Sequence, residues 1–180
     1  MSSVSPLAPN PVTEVDAYIA SLFAALDSRD PFEVLAGTPS AIRAMLEGVS
    51  GESLRAPEAP GKWSVTQVVM HLADSEIVGA FRFRMVLAHD QPPIPGYDQD
   101  LWANRLKYSD ANMTDALDQF TGLRRANVRL LRATTPAERE RFGVHAERGQ
   151  ESIGKMIRMY AGHDLVHLRQ MGRILRAVGG

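Results

Sequence analysis

The sequence has no cysteine among its 180 residues. This absence excludes disulfides, iron–sulfur clusters, cysteine-ligated zinc and a cysteine nucleophile, so any thiol in the chemistry must arrive with a ligand. The chain also has no apolar run as long as a transmembrane helix. Its formal net charge is −1, without the basic excess that binding to many phosphates requires. We therefore expect a small-molecule substrate as partner, and neither nucleic acid nor a membrane.

The N-terminal residues 1–12 hold three prolines and no basic segment followed by an apolar run. This composition is typical of a flexible tail rather than a signal peptide, and it predicts a cytoplasmic protein. Residues 13–180 are expected to form one domain, because a chain of this length buries a sizeable core without a disulfide.

Apolar residues recur at steps of three and four along most of the chain, which is the spacing of amphipathic helices. This spacing predicts four long helices, over residues 13–30, 64–88, 112–133 and 152–179. A shorter helix is predicted to begin at residues 38–40 and to stop at Gly48. Prolines and glycines predict a loop between that glycine and the second long helix.

Residues 91–96 contain three prolines, so we predict no regular structure there, and a short helix follows within residues 97–107. A loop rich in charge is predicted after residue 133. Because no segment alternates like a strand, the predicted fold class is all-α: a four-helix bundle with an irregular insertion, residues 91–102, between the second and third long helices. We expect this insertion to wall a pocket mouth, to contribute to a dimer contact, or only to cover exposed core.

Three histidines lie on the predicted buried faces of the helices. His163 and His167 are separated by about 6 Å of helical rise and about 40° in direction, so both can point into the bundle and bind one cation. His71 lies in an apolar part of the second long helix and can converge on them. A shared cation satisfies the three buried imidazoles. Imidazole ligands suit Zn, Ni, Fe(II) or Cu. Three protein ligands leave coordination positions open for water or substrate. His89 and His145 are expected to be exposed.

Polar residues at helical spacing from these histidines are candidates for supporting roles. Gln170 follows the last histidine by three residues, so its amide could hold a ligand ring or a bound water, or could be a buried spacer. Asp74 and Ser75 follow the first by three and four residues and could orient a ligand or touch a substrate. Asp164 points about 100° away from the proposed metal, which favours a surface or interhelical hydrogen bond.

Several short motifs together resemble the DinB-like superfamily, and within it the metal-dependent bacillithiol-transferase (YfiT-like) group. They are Trp63-Ser64, the segment from His71 to Glu76, Arg82-Phe83, the segment from Tyr97 to Ala103, and the segment from His163 to His167. The resemblance covers about residues 13–176. The three histidines in this order are its most specific element.

The resemblance implies an up-down-down-up four-helix bundle and a divalent metal bound by His71, His163 and His167. It also implies a homodimer. Some members of the superfamily use low-molecular-weight thiols such as bacillithiol, mycothiol or glutathione, so a thiol is the implied cosubstrate.

On this basis the predicted function is thiol S-transfer, in which a cation bound by three histidines activates a low-molecular-weight thiol. In such an enzyme Asp74 or Gln170 would manage a proton or a water, and Arg82 would meet a carboxylate of the thiol unless it is ion-paired or extends to solvent. The first alternative is a metal-dependent hydrolase, in which water takes the place of the thiol. The second is a metal-binding or small-molecule-binding protein without catalysis, which is expected if a residue such as Tyr160 caps the open position.

Overall fold

The computed structural model describes residues 14–179, so the predicted tail over residues 1–12 lies outside the described part. The helices are α1 (Val15–Leu26), α2 (Pro31–Leu46), α3 (Gly51–Arg55), α4 (Val65–Ala88), α5 (Gln99–Arg105), α6 (Met113–Arg132), α7 (Pro136–Glu140) and α8 (Ile153–Val178). A 3₁₀ helix covers Tyr108–Asp110. The strands are β1 (Pro93–Ile94), β2 (Phe142–His145) and β3 (Gly149–Ser152).

The core lies between helices α2, α4, α6 and α8, so the bundle is all-α as predicted, but α2 takes the place that the sequence analysis gave to the helix over residues 13–30. Helix α4 packs against α6 and α8, α2 packs against the same two helices, and α1 packs against α8. One apolar cluster receives side chains from α2, α4, α6 and α8, including Ile42, Leu72, Phe120 and Ile174. A second cluster adds Leu26 from α1 and Ile94 from β1. None of the described helices is long and apolar enough to cross a membrane.

Three of the predicted long helices begin where the sequence places a capping residue. Ser64 and Gln67 form a capping box at the start of α4, with each side chain bonded to the backbone of the other. Asn112 and Ser152 accept backbone hydrogen bonds at the starts of α6 and α8. These side chains satisfy N–H groups that otherwise have no partner, which fixes the helix starts.

The first two helices correct the sequence prediction. Helix α1 ends at Leu26, and α2 begins at Pro31 rather than at residues 38–40. Asp30 caps this start by accepting hydrogen bonds from the two N–H groups after the proline. Pro39 lies inside α2 and cannot donate to the carbonyl four residues earlier. Arg124 Nη1 donates to that carbonyl, Leu35 O, at 3.0 Å, which compensates for the missing bond.

A small sheet corrects the prediction that the insertion has no regular structure. Strand β1 pairs in parallel with β2, and β2 pairs with β3 in an antiparallel hairpin. Gly143 is required in β2, because a Cβ there would lie 2.6 Å from the side chain of Ile94. His145 is buried in this sheet, contrary to its expected exposure, whereas His89 is exposed as predicted. The short helices α3 and α7 also lie in segments that were predicted to be loops.

Candidate metal centre and adjoining cavity

Three imidazoles converge between α4 and α8. His163 Nε2 lies 3.1 Å from His71 Nε2 and 3.0 Å from His167 Nε2. The ligand atoms of the three residues all lie within 4.8 Å of one another. His71 is buried and the other two are partly buried. The structure thus brings together the three residues that the sequence predicts as metal ligands.

The protonation of these rings fits a metal site. Gln170 Oε1 lies 2.7 Å from His167 Nδ1, so this nitrogen donates and His167 Nε2 keeps a free lone pair toward the cluster. Burial is the main cause that lowers the pKa of His71 and of His163 well below the usual value, and the neighbouring His167 lowers both further. Burial also lowers the pKa of His167, partly offset by Gln170. Three neutral imidazoles with facing nitrogens form a donor set that suits a divalent transition metal.

Asp74, which follows His71 by three residues in α4, is held in a hydrogen bond. The Tyr108 hydroxyl donates to Asp74 Oδ2 at 2.5 Å, and both residues are buried. The next residue, Ser75, lies with its hydroxyl 3.0 Å from the Tyr97 hydroxyl. Ser75 lines the cavity described below and Asp74 does not. A catalytic role for Asp74 or for Gln170 stays a prediction.

Asp164 belongs to a buried network behind the histidines. Arg124 of α6 donates to both oxygens of Asp164 and, through Nη2 at 3.0 Å, to Glu76 of α4. Asn127 donates to the second oxygen of Glu76 at 2.9 Å, and Thr38 Oγ1 lies 2.7 Å from Asp164 Oδ2. The predicted interhelical hydrogen bond of Asp164 therefore connects α2, α6 and α8, and through Glu76 it reaches α4. This network fixes the two helices that carry the histidines relative to each other.

A cavity of about 570 Å³ opens beside the cluster, and His71 and His163 lie in its wall. The insertion supplies one side of this wall through Gly96–Asp100, so the expectation that it walls a pocket is met by these contacts. Tyr160 also lines the cavity, and its hydroxyl donates to the Ser75 carbonyl at 3.3 Å. Gly79 makes room for that ring, because a Cβ would lie 2.8 Å from it.

Arg82 lies in the same wall and is buried. Its Nε and Nη2 donate to the Pro95 carbonyl at 3.2 and 2.5 Å, which ties α4 to the insertion. The sequence analysis missed Arg148 and Glu151, which line the cavity as a bidentate pair with distances of 2.5 and 3.1 Å. Their spacing of three residues in a charged segment is the only signal for this pair in the sequence.

A family model described as the DinB superfamily matches residues 35–171 of this chain. The chain belongs to the DinB superfamily. This result confirms the resemblance that the histidine-containing motifs indicated. The match spans the whole segment that carries the three histidines.

Two relatives and one solved structure extend this comparison. A protein of Oceanobacillus iheyensis named "putative metal-dependent hydrolase" is 32% identical over 130 residues, which cover 72% of this chain and 75% of that protein. YfiT of Bacillus subtilis has the same designation and is 26% identical over 148 residues, covering 82% of this chain and 83% of YfiT.

The solved structure of YfiT matches this DinB superfamily chain with a TM-score of 0.77 at 26% identity, and covers 83% of this chain and 86% of that chain. It is described as "a probable metal-dependent hydrolase with an unusual four-helix bundle topology". This similarity confirms the predicted four-helix bundle. The relatives' names attribute metal dependence and hydrolysis to those proteins.

Proposed function

We propose that this protein is a metal-dependent hydrolase of small molecules, with the cation bound by His71, His163 and His167. The observation that carries this proposal is the convergence of three imidazole Nε2 atoms beside a cavity of about 570 Å³. A cavity of this size accommodates a small organic substrate. The names of the relatives in the same superfamily support hydrolysis.

A divalent cation in such a site lowers the pKa of a bound nucleophile and polarises a carbonyl or phosphoryl oxygen. The chain's own residues prepare the site for it. Gln170 fixes the His167 ring, and burial keeps all three imidazoles neutral and able to bind a metal.

The cavity wall also presents groups that would position a substrate. Tyr97 lines the cavity, and its hydroxyl can donate to a substrate oxygen when Ser75 donates to it, while Met156 and Met159 supply apolar surface. Burial raises the pKa of Tyr97, so this hydroxyl stays protonated.

Thiol S-transfer is the second candidate, and the state of the nearby carboxylates favours it. Asp74 accepts a hydrogen bond from Tyr108, Asp164 accepts from Arg124, and neither residue lines the cavity, so neither is placed as a base for water bound there. A thiol has a pKa of about 8.5, far below that of water, and so depends less on a carboxylate base. The bidentate Arg148 pair occupies Glu151 in the same way.

Metal binding is the first test of the proposal. The purified protein should bind one divalent cation per chain, and a chelator should lower its melting temperature. His71→Gln and His163→Gln should lose this binding, whereas His89→Gln should retain it because His89 is exposed at the end of α4. Equal binding by wild type and His71→Gln would refute the ligand assignment.

Turnover then separates the two candidates. A panel of esters and amides in thiol-free buffer should be hydrolysed by the metal-loaded protein and not by His163→Gln. If turnover instead requires added thiol and a separate electrophile, hydrolysis is wrong and S-transfer replaces it. If neither panel is turned over, both candidates are wrong for the substrates tested, and a binding function is left.

A further inference from the structure

Three arginines line or adjoin the proposed active site, of which Arg82 and Arg124 are buried and Arg148 is partly buried, and they differ in their counter-ions. Arg124 is paired with Asp164 and Glu76, and Arg148 is paired with Glu151. Arg82 is 6% exposed, and no carboxylate oxygen of residues 14–179 lies within 4.0 Å of its nitrogens. Residues 1–13 contain no Asp or Glu that could supply one. Glu151, the ion-pair partner of Arg148, also feels the charge of Arg82, so two guanidinium groups share this one buried carboxylate. A buried guanidinium without an ion pair of its own is costly, and an external anion would balance the second charge.

The free part of Arg82 faces the cavity. Its Nε and Nη2 both donate to Pro95 O, and Nη1 has no hydrogen-bond partner among the described residues. This nitrogen is not among the buried unpartnered atoms of the described chain, so it has accessible surface, and Arg82 is a residue of the cavity wall. Guanidinium N–H groups are strong donors to carboxylates and phosphates.

The neighbourhood of Arg82 holds two guanidinium groups, those of Arg82 and Arg148, against one buried carboxylate, that of Glu151, and we call it the cationic end of the cavity. Burial raises the pKa of Tyr18 to about 12, and Arg148 and Arg82 both act against this rise. Burial also raises the pKa of Tyr160, and the same two cations act against it. Both guanidinium groups are therefore near both phenols, in one polar end of the cavity.

Helix α4 places this cationic end at a distance from the histidines. Arg82 follows His71 by eleven residues of one continuous helix, which is about 16 Å of rise and about 20° in direction. Both residues therefore face the same cavity from opposite ends of its α4 wall. Leu22, Met156 and Met159 contribute apolar surface to this cavity.

We infer that the cavity binds a small molecule that carries a single oxyanion, which pairs with Arg82, joined through an apolar linker to the group that reacts at the histidines. This inference rests on the proposed function, because it takes the histidine end as the reacting end. Asp98, Asp100 and Glu147 are exposed residues of the cavity wall. Their negative charges oppose a polyanion at the entrance, which favours one oxyanion over a polyphosphate.

Equilibrium binding to the metal-free, full-length protein tests this inference without turnover. The probes are hexanoate, hexyl phosphate and the neutral hexanamide, titrated into ¹⁵N-labelled protein and followed by NMR. At least one of the two anions should bind about 10- to 100-fold more tightly than hexanamide, the range expected for a hydrogen bond to a charged group. The tighter of the two anions identifies the oxyanion as a carboxylate or a phosphate.

Two substitutions locate the anion. Arg82→Gln should abolish the preference for the anion, and Arg82→Lys should retain part of it because the charge remains. Arg84→Gln is the matched control, because Arg84 is exposed on the same helix and does not line the cavity. It should leave the preference unchanged.

The side-chain Nε–Hε signal of Arg82, assigned by its loss in Arg82→Lys, should shift on titration with the preferred anion. This readout uses the wild type, so it stands even if Arg82→Gln fails to fold. Equal affinity for hexanamide, no binding of either anion, or an unshifted Arg82 signal would overturn the inference. Because no metal is present, failure of the metal-dependent hydrolase proposal leaves these results interpretable on their own.

Discussion

Gly162, next to the first histidine of α8, lies where this helix comes closest to α1. A Cβ at this position would lie 2.7 Å from the carbonyl carbon of Leu22 and 3.0 Å from its Cβ, and nearer still to its carbonyl oxygen. The closest atoms belong to the backbone of α1 and cannot rotate away. Gly162→Ala therefore forces α1 away from α8, and Leu22, which is 1% exposed, loses part of its packing.

The size of the effect follows from two opposing contributions. Alanine is about 1 kcal/mol more favourable than glycine in an open helix interior. Overpacking a dense contact costs about 1–3 kcal/mol, and more where backbone must move. We expect a net loss of about 1–2 kcal/mol in the free energy of unfolding. For a domain of this size, that corresponds to a melting temperature about 2–8 °C lower.

Thermal unfolding followed by circular dichroism at 222 nm measures this change. Gly122→Ala is the matched control, because Gly122 lies inside α6 and a Cβ there meets nothing within 4 Å. The control should raise the melting temperature by about 2–4 °C. A Gly162→Ala protein as stable as wild type would refute the close approach of α1 and α8.

Three further predictions concern the polar residues. Gln170→Ala should weaken divalent-cation affinity about 10- to 100-fold by releasing a histidine ring, as measured by competition with a chelator; unchanged affinity would contradict this. Arg124→Met leaves two buried carboxylates unpaired and should cost about 3–5 kcal/mol in urea unfolding. Arg43→Met breaks an exposed ion pair and should cost at most about 1 kcal/mol. Equal losses of unfolding free energy in Arg124→Met and Arg43→Met would refute the larger contribution of the buried pairs. Burial lowers the pKa of His145 to about 4, so unfolding takes up a proton between about pH 6.5 and 4. Stability should therefore fall as the pH is lowered through this range, and melting curves of His145→Gln should show a smaller fall.

The long helices α4, α6 and α8 follow from local signals in the sequence. Their apolar spacing is regular, and Ser64, Asn112 and Ser152 mark their starts. The three histidines were placed together by the same reasoning, because helical spacing fixes the direction in which each one points. Local periodicity is sufficient here, since the bundle buries one continuous face of each helix.

The other features depend on contacts between distant parts of the chain. The start of α2 was misplaced because Pro39 is tolerated only through the hydrogen bond from Arg124 to Leu35 O, a partner 89 residues away. Strands of two to four residues are too short to show alternation, so the sheet and the burial of His145 gave no pattern. Arg82 has no ion pair of its own because no described carboxylate lies close enough to it, and the spacing of residues along the sequence does not reveal this.

The network around Arg124 also sets the charge balance of the bundle interior. Glu76 accepts hydrogen bonds from Arg124 and Asn127, and both oxygens of Asp164 accept from Arg124. Two carboxylates against one guanidinium leave one buried negative charge, and the influence of Asp164 extends to His167, whose pKa it acts to raise. Three neutral imidazoles contribute no charge to offset a dication. For the dication proposed above, the adjacent network would supply part of that offset, although its residues lie outside the proposed ligand set.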